Sequence, residues 1–349
     1  MTLRDSLKFV IVPLTLAVGG FACGSAKSDD PGPKLRRTLN DEFSSGAIAF
    51  APSGTILAAT PCGGEVQFPS GSIKLWDIDT GRIIATNNPK DVLTRFVSVA
   101  FSPDGKLLAS GQTRGVQFWN PATGAEIAHL KAEGWIQSVV FSPDGKFLIS
   151  GSASGTINAW DVATRKNAAT LALSTERPDI HSLAISPNGK MLVSASYHVG
   201  FSAFGGERSK IQLWDTGTGK LLYTFLSQVM NMSVVFGADS KTLISGDWDK
   251  TIRIWDVGTK KNIATLTGHT EVVRTVALST DGKTLASGSD DRTVKLWDLQ
   301  KNRNTATLEG HSDKIHCVAF APDGKTLASS SGDKTIKIWT IPTAVNVER

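Results

Sequence analysis

The chain has 349 residues, 40% of them apolar, which is enough material to bury a sizeable core and excludes a disordered polymer. Its net charge of +5 comes without any block of like charges, so no electrostatic footprint for nucleic acid is present and no nucleic-acid partner is expected. Thirty-three glycines stand among Ser, Thr, Asp and Val/Ile runs with almost no sustained helical periodicity, which predicts an all-β fold of short strands.

In chain order the first element is an export signal over residues 1–22. A short positive start, MTLRDSLK, precedes an apolar run from Phe9 to Ala22 and small residues around Cys23. The run is too short to span a bilayer comfortably. Two cleavage sites fit. Cutting before Cys23 in GFAC resembles the processing of a bacterial lipoprotein and would leave Cys23 lipidated, although Gly20 and Phe21 depart from that pattern. Cutting after Ala26 in GSA would release a soluble protein. The polar GSAKSDDPGPK that follows reads as a tether, so residues 23–33 are assigned to a linker. The expected location is the periplasm or an outer membrane to which lipidated Cys23 anchors the chain; the alternatives are a secreted soluble protein and an uncleaved cytoplasmic one. Beyond the leader only Cys62 and Cys317 remain, too few for a disulfide framework.

From Lys34 onward the chain repeats. SIKLWD ends at Asp77, GVQFWN at Asn120, TINAWD at Asp161, KIQLWD at Asp215, TIRIWD at Asp256, TVKLWD at Asp298 and TIKIWT at Thr340. The seven tryptophans are 43, 41, 54, 41, 42 and 42 residues apart, room for one four-stranded unit each. The sixth unit reads as an apolar strand (VVRTVALS), a tight turn (TDGK), a second strand (TLASGS), a loop, the tryptophan strand, a polar turn (DLQKNR) and a fourth strand (TATLE). Short connections make such strands meander antiparallel. SPDGK at Ser102 and Ser142, SPNGK at Ser186 and APDGK at Ala321 place Pro and Gly where hairpin turns need them.

These repeats resemble the WD-repeat family of β-propellers over residues 34–342, with a short tail at 343–349. The resemblance implies a seven-bladed ring of four-stranded antiparallel blades. It also implies that KLRRTLN, Lys34 to Asn40, joins the last blade, which has only IPTAVNVER after its tryptophan strand.

The family's hydrogen-bonded tetrad maps onto His269, Ser287, Asp291 and Trp297 in the sixth repeat and onto His311, Ser329, Asp333 and Trp339 in the seventh. A Ser, His and Asp together suggest nucleophilic catalysis, but that chemistry needs one exposed serine beside an oxyanion site, whereas this set recurs at fixed spacing inside blades. Its role is structural, and no catalytic residue is assigned. The fifth repeat keeps Ser245, Asp249 and Trp255 without the histidine, the third has Trp135 after Gly134 in the histidine's place, and the fourth has Arg208 in the aspartate's place. Blades 1 to 4 are therefore expected to be looser or specialised.

One face of the ring carries the hairpins and a circle of lysines, Lys106, Lys146, Lys190, Lys241, Lys283 and Lys325, with Asp104, Asp144, Asp281 and Asp323 beside four of them. That pattern is a solvated rim. The opposite face carries the long loops: blades 1 and 4 exceed blade 7 there by 7 and 10 residues. The longer insert holds Tyr197, His198, Phe201 and Phe204. Alignment on Arg274 puts Gly46, Val97, Gln137, His181, Met232, Arg274 and His316 around the channel mouth on this face, with Arg95, Trp135, Asp179 and Met230 two residues upstream. His181 and His316 stand on nonadjacent blades without ligand spacing, so no metal and no cofactor are expected.

The family uses its loop-bearing face for partners, so the expected function is a non-catalytic scaffold binding a protein or envelope partner. The candidate contacts are Trp248, Arg274, Met232, Met230, His316, His181, Arg95 and Trp135. The alternatives are a ligand-binding or enzymatic propeller using its central channel, and a cytoplasmic scaffold. Trp248 is the tryptophan the repeat does not explain. It serves either as a hydrophobic anchor near Met230, Met232 and Arg274 or as a lid over the gap left by the fifth blade's missing histidine, whereas Trp255 is expected to be buried.

Overall fold

Seven four-stranded antiparallel sheets follow one another along the chain, and six of them consist of consecutive strands. The computed structural model describes residues 32–62, 72–88, 96–172, 178–197, 209–227 and 229–342. The leader, Cys23, Arg95, the tail and most of both long inserts, including His198, Phe201, Phe204 and Arg208, lie outside the described residues.

Blade 6 illustrates the unit. Its strands are Val273–Leu278, Thr284–Ser289, Val294–Asp298 and Arg303–Leu308, from the channel outward. The second strand, TLASGS, is buried at all but its first residue because neighbouring blades cover both its faces, while the fourth is mostly exposed. Small residues permit that sandwiching. A Cβ on Gly288 would stand 2.5 Å from Cγ2 of Ile315 on the next inner strand, so only glycine admits the approach. The hairpins have equally local causes. At SPDGK, Gly105 has φ +71°, its N–H donates to Ser102 O at 2.8 Å, and the Ser102 hydroxyl donates to Asp104 at 2.6 Å.

The seventh sheet closes the ring. Lys34–Asn40 pairs antiparallel with Thr335–Thr340, so its order is N-terminal strand, then the last three strands of the chain in reverse. The apolar core is distributed between blades rather than within them. At the closure Leu39, Ile336 and Ile338 pack against Ile48, Leu57 and Trp76 of blade 1. Burying one such side chain contributes about 1.5–3 kcal/mol.

A polar belt also crosses the blade boundaries. The hydroxyls of Ser98, Ser138, Ser182, Ser233 and Thr275 each accept from a backbone N–H on the next blade, at 3.1–3.3 Å. The two boundaries of blade 1 differ, since the equivalent positions hold Cys317 and Ala47.

Six repeat tryptophans are buried, but Trp255 is half-buried, and its indole packs edge-on against Phe225 at 5.7 Å. The expected looseness of blades 1 to 4 is not uniform either. The indole of Trp119, Trp160 or Trp214 still donates to Ser110, Ser150 or Ser194 at 2.8–3.0 Å. Trp76 of blade 1 has no such partner among the described residues, because Ala59 stands where the other repeats have serine.

Candidate functional site: the loop face and channel mouth

The inner strands share one irregularity. Their pairing register slips between Phe96 and Ser98, Ile136 and Ser138, Ile180 and Ser182, Asn231 and Ser233, Val273 and Thr275, and Ile315 and Cys317. The residue skipped at each slip is a bulge, and bulges re-aim side chains. Those residues are Val97, Gln137, His181, Met232, Arg274 and His316, and with Gly46 they line a cavity of about 480 Å³ at the channel mouth. Trp135 joins this lining; Met230 and Trp248 stand outside it.

Trp135 does not occupy the histidine's place. Its carbonyl accepts from Ala153 N–H, as Val272 O accepts from Asp290 N–H and Met230 O from Trp248 N–H, so it is the blade 3 counterpart of Val272 and Met230. It is 48% exposed.

The charged groups of the mouth are engaged. Arg274 donates to both Asp290 oxygens, through Nε and through Nη2 at 2.8 Å, and Lys314 lies 3.7 Å from the same carboxylate. Burial, and then the Arg274 charge, push the His316 imidazole below its usual pKa, so it is neutral at pH 7. Cys62 Sγ lies 3.9 Å from both nitrogens of that ring, and Cys62 and Cys317 are not joined to each other by a disulfide. His181 donates through Nε2 to Asn231 O and packs against the Tyr197 ring at 5.2 Å. Burial pushes His181 down and Asp179 up. Among the described residues no group of three His, Cys, Asp or Glu side chains is placed to hold a metal ion.

The two tetrads lie away from this mouth, inside their blades. His269 contacts Asp291 and Ser287 at 2.7 Å each, and Trp297 donates to the same serine at 2.8 Å. His311 meets Asp333 and Ser329 at 2.8 Å each, and Trp339 donates to Ser329 at 2.9 Å. Both serines are fully buried, so no substrate carbonyl reaches them.

Blade 5 solves the missing histidine differently. Arg253, on the tryptophan strand, donates through Nη2 to Asp249 at 2.6 Å and through Nη1 to Asp247 at 2.5 Å. Asp247 is fully buried and also accepts from Asn231 Nδ2 at 2.7 Å. Trp248, between the two aspartates, is 51% exposed and anchored through its N–H to Met230 O at 2.8 Å. Half of its surface faces solvent, and the aspartate that would have faced histidine is taken by Arg253. Sequence reading missed Asn231, Asp247 and Arg253, although a signal existed. They stand where repeats 6 and 7 have Val273 and Ile315, Ser289 and Ser331, and Lys295 and Lys337.

Comparison with known proteins agrees with this architecture. The family model for the WD domain, G-beta repeat, matches residues 90–120, 124–161, 169–215, 219–256, 260–298 and 302–340, more than half of the chain. The periodic tryptophan protein 2 homolog of Dictyostelium discoideum is 28% identical over 189 residues, covering 52% of this chain and 19% of that protein. Autophagy-related protein 16 of Arabidopsis thaliana is 27% identical over 177 residues, covering 50% and 32%. The WD repeat-containing protein WDS homolog of the same plant is 26% identical over 262 residues, covering 71% and 46%. The matched stretch thus spans less than a third of the first two relatives.

Proposed function

The chain belongs to the WD-repeat family of β-propellers, and from that membership we propose that it is a non-catalytic scaffold that binds a protein partner through its loop face. The observation that carries the reading is Trp248, half-exposed on the loop face with its backbone N–H held by Met230 O. Exposed, well-supported aromatic side chains are the groups that dominate interface energies. Trp135, also half-exposed, and the mouth residues Met232, Arg274, His181 and His316 extend the contact surface.

Affinity capture with residues 34–342 tests it. Trp248→Ala and Trp135→Ala should each lower recovery of the specific partner while leaving the melting temperature within about 2 °C, the change expected from an exposed site. Unchanged recovery with both variants would sink the reading.

Export belongs to the same proposal and rests on the apolar run from Phe9 to Ala22 and on Cys23. Fatty-acid labelling of the wild type but not of Cys23→Ser is the expected result for a lipid anchor. Equal labelling rejects the anchor, and recovery of the uncleaved chain in the cytoplasm rejects export.

A second reading, ligand binding in the channel, is favoured by one observation: the cavity of about 480 Å³ whose lining includes Cys62 in contact with His316. A ligand there would be displaced by a bulky substitution at Gly46, whereas capture through Trp248 would persist.

A further inference from the structure

Repeats 6 and 7 fill the blade interior beside the loop with an imidazole, and their strand lysines turn elsewhere. Lys295 Nζ donates to Thr307 at 2.9 Å and Lys337 Nζ reaches Thr38 at 3.4 Å, both on the outer strands. Arg253 holds the same register position but turns toward the loop, where its guanidinium meets two carboxylates. Those carboxylates are Asp247 and Asp249, the residues on either side of Trp248.

The clamp is itself supported. Ser209 donates to Asn231 Oδ1 at 3.0 Å, Asn231 Nδ2 donates to Asp247 at 2.7 Å, and Asn231 O accepts from His181. On the other side Thr251 donates to Asp249 through its hydroxyl at 2.7 Å. Burial opposes the charge on Asp247 and raises its pKa, with the bonds from Asn231 and then Arg253 working against that rise. Asp249, less buried, is held below the usual carboxylate range because the bonds from Arg253 and Thr251 outweigh its burial. The backbone is pinned at Trp248 N–H and again at Lys250, whose N–H donates to Asp247 O at 3.3 Å in the left-handed conformation, φ +73°.

We propose that Arg253 is a positioning residue: by gathering Asp247 and Asp249 onto one planar guanidinium it fixes the loop at both neighbours of Trp248 and presents the indole preorganised for a partner's apolar side chain. The consequence for binding rests on the loop face being the partner surface; the clamp does not. Preorganisation removes the cost of ordering the anchor at the moment of contact, which is worth about two- to tenfold in affinity. Arginine is required because lysine, a point charge, cannot bridge two carboxylates in one plane.

The test labels the full chain with 5-fluorotryptophan and follows the Trp248 fluorine resonance, assigned by its loss in Trp248→Phe. In the wild type that line should be as broad as those of the buried repeat tryptophans. In Asp249→Asn, which leaves the Arg253–Asp247 pair intact, and in Arg253→Lys, which keeps the charge, it should narrow about twofold as the indole gains fast motion. A role limited to balancing buried charge would leave Arg253→Lys like the wild type, and that result overturns the proposal. So does a wild-type Trp248 line already as narrow as a free indole's. Arg253→Met paired with Asp247→Asn and Asp249→Asn removes the clamp without stranding a charge, so it provides a folded control in which the line must also narrow. Because the spectrum alone decides the clamp, failure of Trp248→Ala to affect partner capture would reject the binding reading and leave the positioning result standing.

Discussion

Blades 1 and 7 are neighbours in the ring and opposites in construction. Blade 7 has a complete His311–Ser329–Asp333–Trp339 network, with every member buried or nearly so. Blade 1 has Ala59 in the serine's place, an unpaired Trp76 indole among the described residues, and Cys317 and Ala47 at the two belt positions of its boundaries, where Ser330 Oγ donates across to Gly46 O at 2.6 Å. It also lies outside the six family-model matches, which begin at residue 90. Yet blade 1 folds into the same four strands. What it lacks internally is supplied from outside: Arg36 pairs with Asp79, Arg37 donates to the carbonyls of Asp79 and Thr80, and Lys74 pairs with Asp41 at 2.5 Å. The N-terminal strand therefore completes blade 7 and latches blade 1 at once. A repeat with a weak interior persists when its neighbours bind it, because stability in such arrays resides largely in interfaces.

The contrast can be broken most severely by deleting Lys34 to Asn40. This removes the burial of Leu39, six paired residues and both arginine latches, and should cost more than about 3 kcal/mol. The melting temperature should drop by more than about 6 °C; a melt unchanged by the deletion would refute the closure account.

Asp333→Ala tests the strong blade. It strands a buried imidazole, and calorimetry should show a loss of about 1–3 kcal/mol. If the loss is negligible, the tetrad does not distinguish blade 7 from blade 1.

Acid offers a window on the same network. Burial opposes the Asp333 charge, but the bonds from Thr335, Ser312 and His311 hold its pKa down to about 2, below its unfolded value of 3.8. Its contribution, about 2 kcal/mol, is complete above about pH 4 and lost as pH falls toward 2. Burial likewise depresses His311 below 6.5, so its share is lost from about pH 6.5 downward. Stability of the wild type should therefore decline through both ranges, and His311→Gln with Asp333→Asn should flatten the curve. Parallel curves would show that acid acts elsewhere.

The smallest effect is the most diagnostic. Ala59→Ser gives Trp76 the hydroxyl that six other blades provide, and should stabilise by about 0.5–1.5 kcal/mol. A destabilised variant would mean that blade 1 has no room for the bond and that its weakness lies in packing.

The sequence by itself determined the repeat count, the succession of strands within a repeat, the hairpins and the ring of channel-mouth positions, while the tetrads and the closing strand were legible through the family resemblance those repeats carry. The repeats recur at a nearly fixed spacing, and a repeated local pattern can be read without knowing what it touches. Tertiary structure alone decided the exceptions. Arg253 and Lys295 share a register position but turn to different partners: in blade 6 His269 meets Asp291 and Arg274 meets Asp290, whereas in blade 5 no histidine faces Asp247 and Asp249, and Arg253 meets both. His181 meets Asn231 from 50 residues away and Cys62 meets His316 from 254. Such contacts arise only when blades close into a ring, because they join side chains whose separation along the chain has no period to betray it.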